Sequence, residues 1–119
     1  VAPDRVDPHA PHGGAPLTGV ELQRALRARW QASYDLQVVQ RRRRLYLQVM
    51  WGHLEQQSFP LSAEAYAARL EEVAALLNVM GVASQVRRWL TTTTGRPRLG
   101  RALGLALDPP PERAGEFLL

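Results

Sequence analysis

Most of the chemistry open to this chain is carried by arginine. Four arginines stand in a row, Arg41, Arg42, Arg43 and Arg44, and two more flank a proline in Gly95-Arg96-Pro97-Arg98-Leu99-Gly100, with Arg101 next. A guanidinium is a planar fork of N–H donors that grips a carboxylate or phosphate through two parallel hydrogen bonds. Pro97 fixes its own φ and biases Arg96 toward extended backbone, so the second cluster sits on a stiff support. The loop lacks the GxxxxGK(S/T) pattern and opens no helix, so it is no P-loop. Its chemistry is recognition of an anionic group, and Arg96, Arg98 and Arg101 are the first candidates for a partner-binding site. Arg41, Arg42, Arg43 and Arg44 form a second contact zone. The plain alternative for both clusters is a solvated arginine surface.

Other reactive types do not combine. His53-Leu54-Glu55 places an imidazole and a carboxylate two residues apart, as proton transfer would need. No third group can be named to complete a site, and the plainer reading is a histidine that hydrogen-bonds a strand-to-helix connection. Glu71 and Glu72 are adjacent on a predicted helix, where neighbours diverge by ~100°, so they make no carboxylate dyad. His9 and His12 lie in a Pro/Gly-rich segment, and two such ligands make no metal site. The chain has no cysteine, which excludes disulfides, thiolate metal sites and a cysteine nucleophile. The sequence therefore offers no catalytic residues, no metal site and no cofactor site, and the expectation is a protein that is not an enzyme.

The elements that position the arginines are legible from pattern. The 119 residues support one domain, expected over 17–108. Residues 1–16 hold four prolines and two glycines and read as a disordered tail. Residues 109–119 read as a C-terminal tail with a short apolar ending, Glu116-Phe117-Leu118-Leu119. Thr18-Gly19-Val20-Glu21 is a capping box with Leu17 and Leu22 at staple positions. It opens a first helix whose buried stripe is Leu22, Leu26 and Trp30. Two alternating runs, 34–40 and 45–51, make a hairpin with the four arginines at its tip. Tyr34, Leu36, Val38, Leu45, Leu47, Val49 and Trp51 are expected on its inner face, and a mixed outer face carries Val39, Tyr46 and Met50.

Ser62 caps a second helix with Tyr66, Leu70, Val73, Leu77 and Met80 inward, and Gly81 ends it. A third helix over 82–90, with Val86, Trp89 and Leu90 inward, is expected to pair with the second as an antiparallel hairpin. A third strand over 101–107 alternates Leu103, Leu105 and Leu107 with small residues. The order α-β-β-α-α-β gives an α+β fold, a three-stranded, mostly antiparallel sheet with helices on one face.

Charge and hydropathy narrow the partners. The net charge is +4 and every basic residue is arginine. Within 17–108 there are thirteen arginines against seven acids. No apolar run approaches the ~18 residues a bilayer span needs, and no secretory h-region is visible. Basic charge invites nucleic acid. The topology, however, sends Arg96, Arg98 and Arg101 to the opposite end of the sheet from Arg41–44, and the aromatic residues are expected in the core. Two separated clusters without stacking platforms make a poor backbone groove, so weak non-specific nucleic-acid binding ranks below binding of a protein partner.

Two phrases carry a family resemblance. They are Leu47-Gln48-Val49-Met50-Trp51-Gly52-His53-Leu54-Glu55-Gln56-Gln57-Ser58-Phe59-Pro60-Leu61 and Arg96-Pro97-Arg98-Leu99-Gly100-Arg101-Ala102-Leu103. With residues 17–35 they resemble a family of small cyanobacterial and plastid proteins classed as a domain of unknown function, number 3067. The resemblance implies an oxygenic phototroph as the source and a cytoplasmic or stromal location. It implies no reaction and no catalytic residues. The expected function is a non-enzymatic interaction module, an accessory or assembly factor in an oxygenic phototroph, with RNA or ribosome binding through the arginines as the alternative.

Overall fold

A computed structural model describes residues 14–111. The segment before them, with His9 and His12, and the apolar ending at 116–119 lie outside the described residues. The order is α1 (Gly19–Trp30), β1 (Tyr34–Arg41), β2 (Arg44–His53), α2 (Ala63–Met80), α3 (Ala83–Thr92) and β3 (Leu103–Ala106). The strands form one sheet in the order β1-β2-β3, both pairings antiparallel. The fold is α+β with the element order expected from sequence.

Local chemistry sets the helix ends. Thr18 Oγ1 accepts the Glu21 N–H at 3.0 Å and Ser62 Oγ accepts the Ala65 N–H at 3.0 Å. Gly81 ends α2 at φ 77°, a left-handed conformation that costs glycine little. Glu21 turns its carboxylate to Arg87, whose Nε and NH2 donate to it at 2.7 and 3.0 Å. That pair ties the start of α1 to α3. Gly19 lies hard against α2: a Cβ there would come within 2.8 Å of the Glu71 backbone N.

The core is the predicted one. Leu22, Leu26, Trp30, Leu36, Leu47, Val49, Tyr66, Leu70, Leu77, Met80 and Val86 are buried, with Val38, Trp89, Leu103 and Leu105 packed at its margin. Two expectations need correction. First, α2 and α3 do not lie side by side as a helical hairpin; α1 packs against both of them. Each helix carries one apolar stripe, and α1 fills the space between them.

Second, Trp51 is not a core residue and is 38% exposed. The register runs evenly from Arg41↔Arg44 to Leu36↔Val49 and then jumps to Tyr34↔His53. Met50, Trp51 and Gly52 thus stand opposite Asp35 alone, a bulge that bends the strand and re-aims its side chains.

The hairpin turn has a cost of its own. Arg42 and Arg43 sit at φ 51° and 67°, the two left-handed positions of a type I′ turn, where asparagine and glycine are favoured.

Candidate functional site

The residues 95–101 form a braced platform. The Trp30 indole Nε1–H donates to Gly95 O at 3.0 Å, which fastens the loop to the core. Pro97 is fully buried. Arg98 and Arg101 exchange two backbone bonds, Arg98 N–H to Arg101 O at 2.9 Å and Arg101 N–H to Arg98 O at 2.8 Å. They enclose Leu99-Gly100 with Gly100 at φ 76°, the left-handed position of a type II turn that glycine fills without strain. Leu99 stands 80% exposed at its tip. The side chains of Arg96, Arg98 and Arg101 are exposed, and none contacts an acid among the described residues.

Arg96 and Arg98 line a surface cleft of about 530 Å³ with Pro97, Leu99, Tyr34 and Trp51. The bulge in β2 supplies Trp51, and the start of β1 supplies Tyr34. An aromatic face and two forked cations therefore meet at one place. That combination takes a carboxylate or phosphate attached to a flat or apolar body. Arg101 belongs to the same turn but does not line the cleft. Arg41, Arg42, Arg43 and Arg44 are exposed at the hairpin tip. β3 pairs Leu103 with Val49 and Ala106 with Tyr46, so the platform and the tip lie at opposite ends of the sheet, more than about 17 Å apart along the strand.

His53 and Glu55 lie beside the cleft, in the joint that holds the end of the sheet to α1. Glu55 Oε1 accepts the N–H of buried Ser33 at 2.8 Å, while Oε2 pairs with Arg27. The Ser33 hydroxyl takes Gln23 Nε2 at 3.1 Å, and Ser33 O accepts the Leu54 N–H at 3.0 Å. Burial pushes the Glu55 carboxyl up, but the Ser33 hydrogen bonds and the Arg27 charge outweigh it and hold the group below its ordinary value.

His53 Nδ1 is 3.3 Å from Glu55 Oε1 yet makes no aligned hydrogen bond. The imidazole stands edge-on to Tyr34, with ring centroids 5.4 Å apart. Nearby, the Tyr66 hydroxyl donates to Tyr34 O at 2.9 Å. Burial, followed by the Glu55 and Asp35 charges, raises the Tyr66 phenol far above its ordinary range, so it remains a donor. Glu55 is thus built into a structural joint, with the His53 imidazole packed on Tyr34 beside it. Among the described residues no three His, Cys, Asp or Glu side chains are grouped to hold a metal ion.

The family profile of a domain of unknown function, DUF3067, matches residues 20–118. The chain belongs to the DUF3067 family. A solution NMR structure of the Alr2454 protein from Nostoc sp. strain PCC 7120 is similar to it, with 44% identity over 85% of this chain and 96% of that one, and a TM-score of 0.77. No curated protein matches the chain. The resemblance seen in sequence is therefore shown, and the fold extends to a cyanobacterial protein.

Sequence reasoning named the arginines of this DUF3067 chain but missed Trp51 and Tyr34. One signal was present: Gly52 interrupts a strand, and a glycine in a strand interior often marks a bulge. Among the described residues no helix is long and apolar enough to cross a membrane.

Proposed function

We propose that this protein is a non-enzymatic interaction module whose Arg96–Trp51 cleft holds an acidic segment of a protein partner. One observation carries the reading: Arg96 and Arg98, which contact no acid among the described residues, converge with an exposed tryptophan on a cleft of about 530 Å³, carried by a loop braced at Gly95, Pro97 and the Arg98–Arg101 turn. A braced backbone loses little freedom on binding, which favours recognition. Glu55 is tied into the joint by Ser33 and Arg27, and His53 Nδ1 makes no aligned hydrogen bond to it, so the pair is not set for proton transfer. The Nostoc relative supports an oxygenic phototroph as the setting, and an accessory or assembly factor is the role we propose for such a module there. RNA binding ranks second, because the arginine clusters occupy opposite ends of the sheet and Trp51 is one stacking platform, not a row of them.

The test is affinity capture from a cyanobacterial lysate, with and without nuclease, comparing the native chain with Arg96→Ala/Arg98→Ala. The double variant is expected to unfold within about 0.5 kcal/mol of the native chain and to lose the main nuclease-resistant partner. Lysine at both positions restores capture only partly, since an ammonium lacks the planar fork. Capture of the same partner at native level by the alanine variant refutes the site. Recovery of RNA in place of protein favours the second reading.

A further inference from the structure

β1 is an edge strand, and its register decides which of its backbone groups face outward. Arg41 and Arg44 close a two-residue turn, which makes them a hydrogen-bonded pair, and bonded pairs alternate from there. Val39↔Tyr46 and Gln37↔Gln48 are bonded pairs; Gln40↔Leu45, Val38↔Leu47 and Leu36↔Val49 are not. The far side of β2 agrees, because Leu45 O accepts from Leu107 N at 2.8 Å and so faces β3. Leu36, Val38 and Gln40 therefore direct N–H and C=O away from the sheet. The Leu36 N–H is taken by Asp35 Oδ1 at 3.0 Å. The outward N–H and C=O groups of Val38 and Gln40 have no partner among the described residues.

α2 runs beside this edge. Arg69, Glu72, Val73 and Leu76 face Leu36, Gln37 and Val38 across a groove of about 350 Å³. Arg69 closes one end by donating to both oxygens of Asp35 at 2.9 and 3.1 Å. Past Val38 the β1 edge runs on to Arg41 and the turn residue Arg42. Leu76 is 37% exposed, a large apolar side chain left uncovered next to unpaired strand polar groups.

We propose that the β1 edge and α2 form a docking groove in which an extended segment of a partner protein adds as a fourth, antiparallel strand. Its backbone would pair with Val38 and Gln40, and an apolar side chain would seat on Val73 and Leu76. An antiparallel strand begins beside the hairpin tip, so acidic residues at its N-terminal end meet Arg41 and Arg42. Main-chain pairing supplies affinity, and the groove and the tip supply selectivity. A second copy of this chain suits the edge less well, because it brings the same net charge of +4 and like-signed surfaces repel. This groove lies apart from the Arg96–Trp51 cleft and does not depend on it.

The test is NMR on the ¹⁵N-labelled full chain, titrated with a blocked heptapeptide of two aspartates followed by alternating valine and threonine. A matched peptide begins with two lysines. The Val38 and Gln40 amides are expected to shift and to slow in hydrogen exchange by at least about tenfold on saturation, while those of Gln37 and Val39 are protected throughout. The lysine peptide is expected to bind about tenfold more weakly or less. Gln40→Pro removes an outward N–H that the internal ladder does not use and is expected to weaken binding about tenfold. Leu76→Glu tests the groove without touching the strand, and a similar loss is expected.

Three results overturn the proposal. One is unchanged Val38 and Gln40 exchange at millimolar peptide. Another is slowing that grows with protein concentration in the absence of peptide, which assigns the edge to a second copy. The last is a peptide response confined to the Trp51 indole and the loop 95–101.

Discussion

Replacing Arg42-Arg43 by Asn-Gly is expected to stabilise the protein while removing two cations. Both residues occupy left-handed backbone, at φ 51° and 67°. An L-residue with a β-carbon there carries a penalty of roughly 1–2 kcal/mol. Asparagine recovers part of it at position 42 and glycine all of it at position 43. Glycine's extra freedom in the unfolded chain takes back roughly 0.5–1 kcal/mol. Lost contacts of the exposed arginine side chains subtract at most about 0.5 kcal/mol. The net gain is about 1–2 kcal/mol, which for a domain near 100 residues raises Tm by about 5–10 °C.

Relief of charge repulsion at the tip must be separated from relief of backbone strain. Thermal unfolding at low and high salt does this, because screening weakens the first and leaves the second. Arg42→Gln/Arg43→Gln is the control: it removes the charges, keeps both left-handed β-carbons, and is expected to gain only at low salt. An Asn-Gly variant whose Tm does not rise at high salt refutes the strain argument.

Leu47→Ala, at a position with no solvent exposure on the central strand, is expected to cost about 2–5 kcal/mol in urea unfolding; a loss under half a kcal/mol would contradict the inner-face assignment. Tyr66→Phe leaves the Tyr34 carbonyl without its donor and is expected to cost about 1–3 kcal/mol, with an unchanged midpoint counting against the bond. Because the folded Glu55 pKa lies below its ordinary value, its stabilisation is complete above about pH 4.5 and is lost as pH falls through the lower folded value. Glu55→Gln is therefore expected to be less stable than the native chain at neutral pH and to show a flatter acid limb, and parallel stability curves below pH 5 would exclude that role.

Much of this architecture is readable from the residues, for reasons that differ by position. Thr18, Ser62 and Gly81 declare helix ends through single-site chemistry, and the structure places each where its side chain or its missing β-carbon is used. The separation of the two arginine clusters follows from connectivity, because one hairpin and one antiparallel return leave β3 starting at the far end. Trp51 was not readable in the same way. Alternation assigns it inward, and the bulge that turns it out depends on how the end of β2 meets Tyr34 and the Ser33–Glu55 joint. The pairing of Arg27 with Glu55 and of Asp35 with Arg69 links residues 28 and 34 positions apart, beyond the reach of local pattern. The β1–α2 groove needed the strand order, which no single stretch encodes.

The bulge in β2 also obeys a parity rule. From Val49 to His53 the strand advances four positions while β1 advances two, from Leu36 to Tyr34. The surplus is even, so the ladder resumes with Tyr34 and His53 on the side they would have occupied in an unbroken strand. An even surplus can therefore present a tryptophan to solvent without disturbing the pairing beyond it. An odd surplus would turn His53 to the opposite face and carry the Glu55 joint out of phase with Ser33. Insertions and deletions in this short stretch are thus constrained in units of two: losing two residues would close the cleft and spare the fold, whereas losing one would put the fold itself at stake.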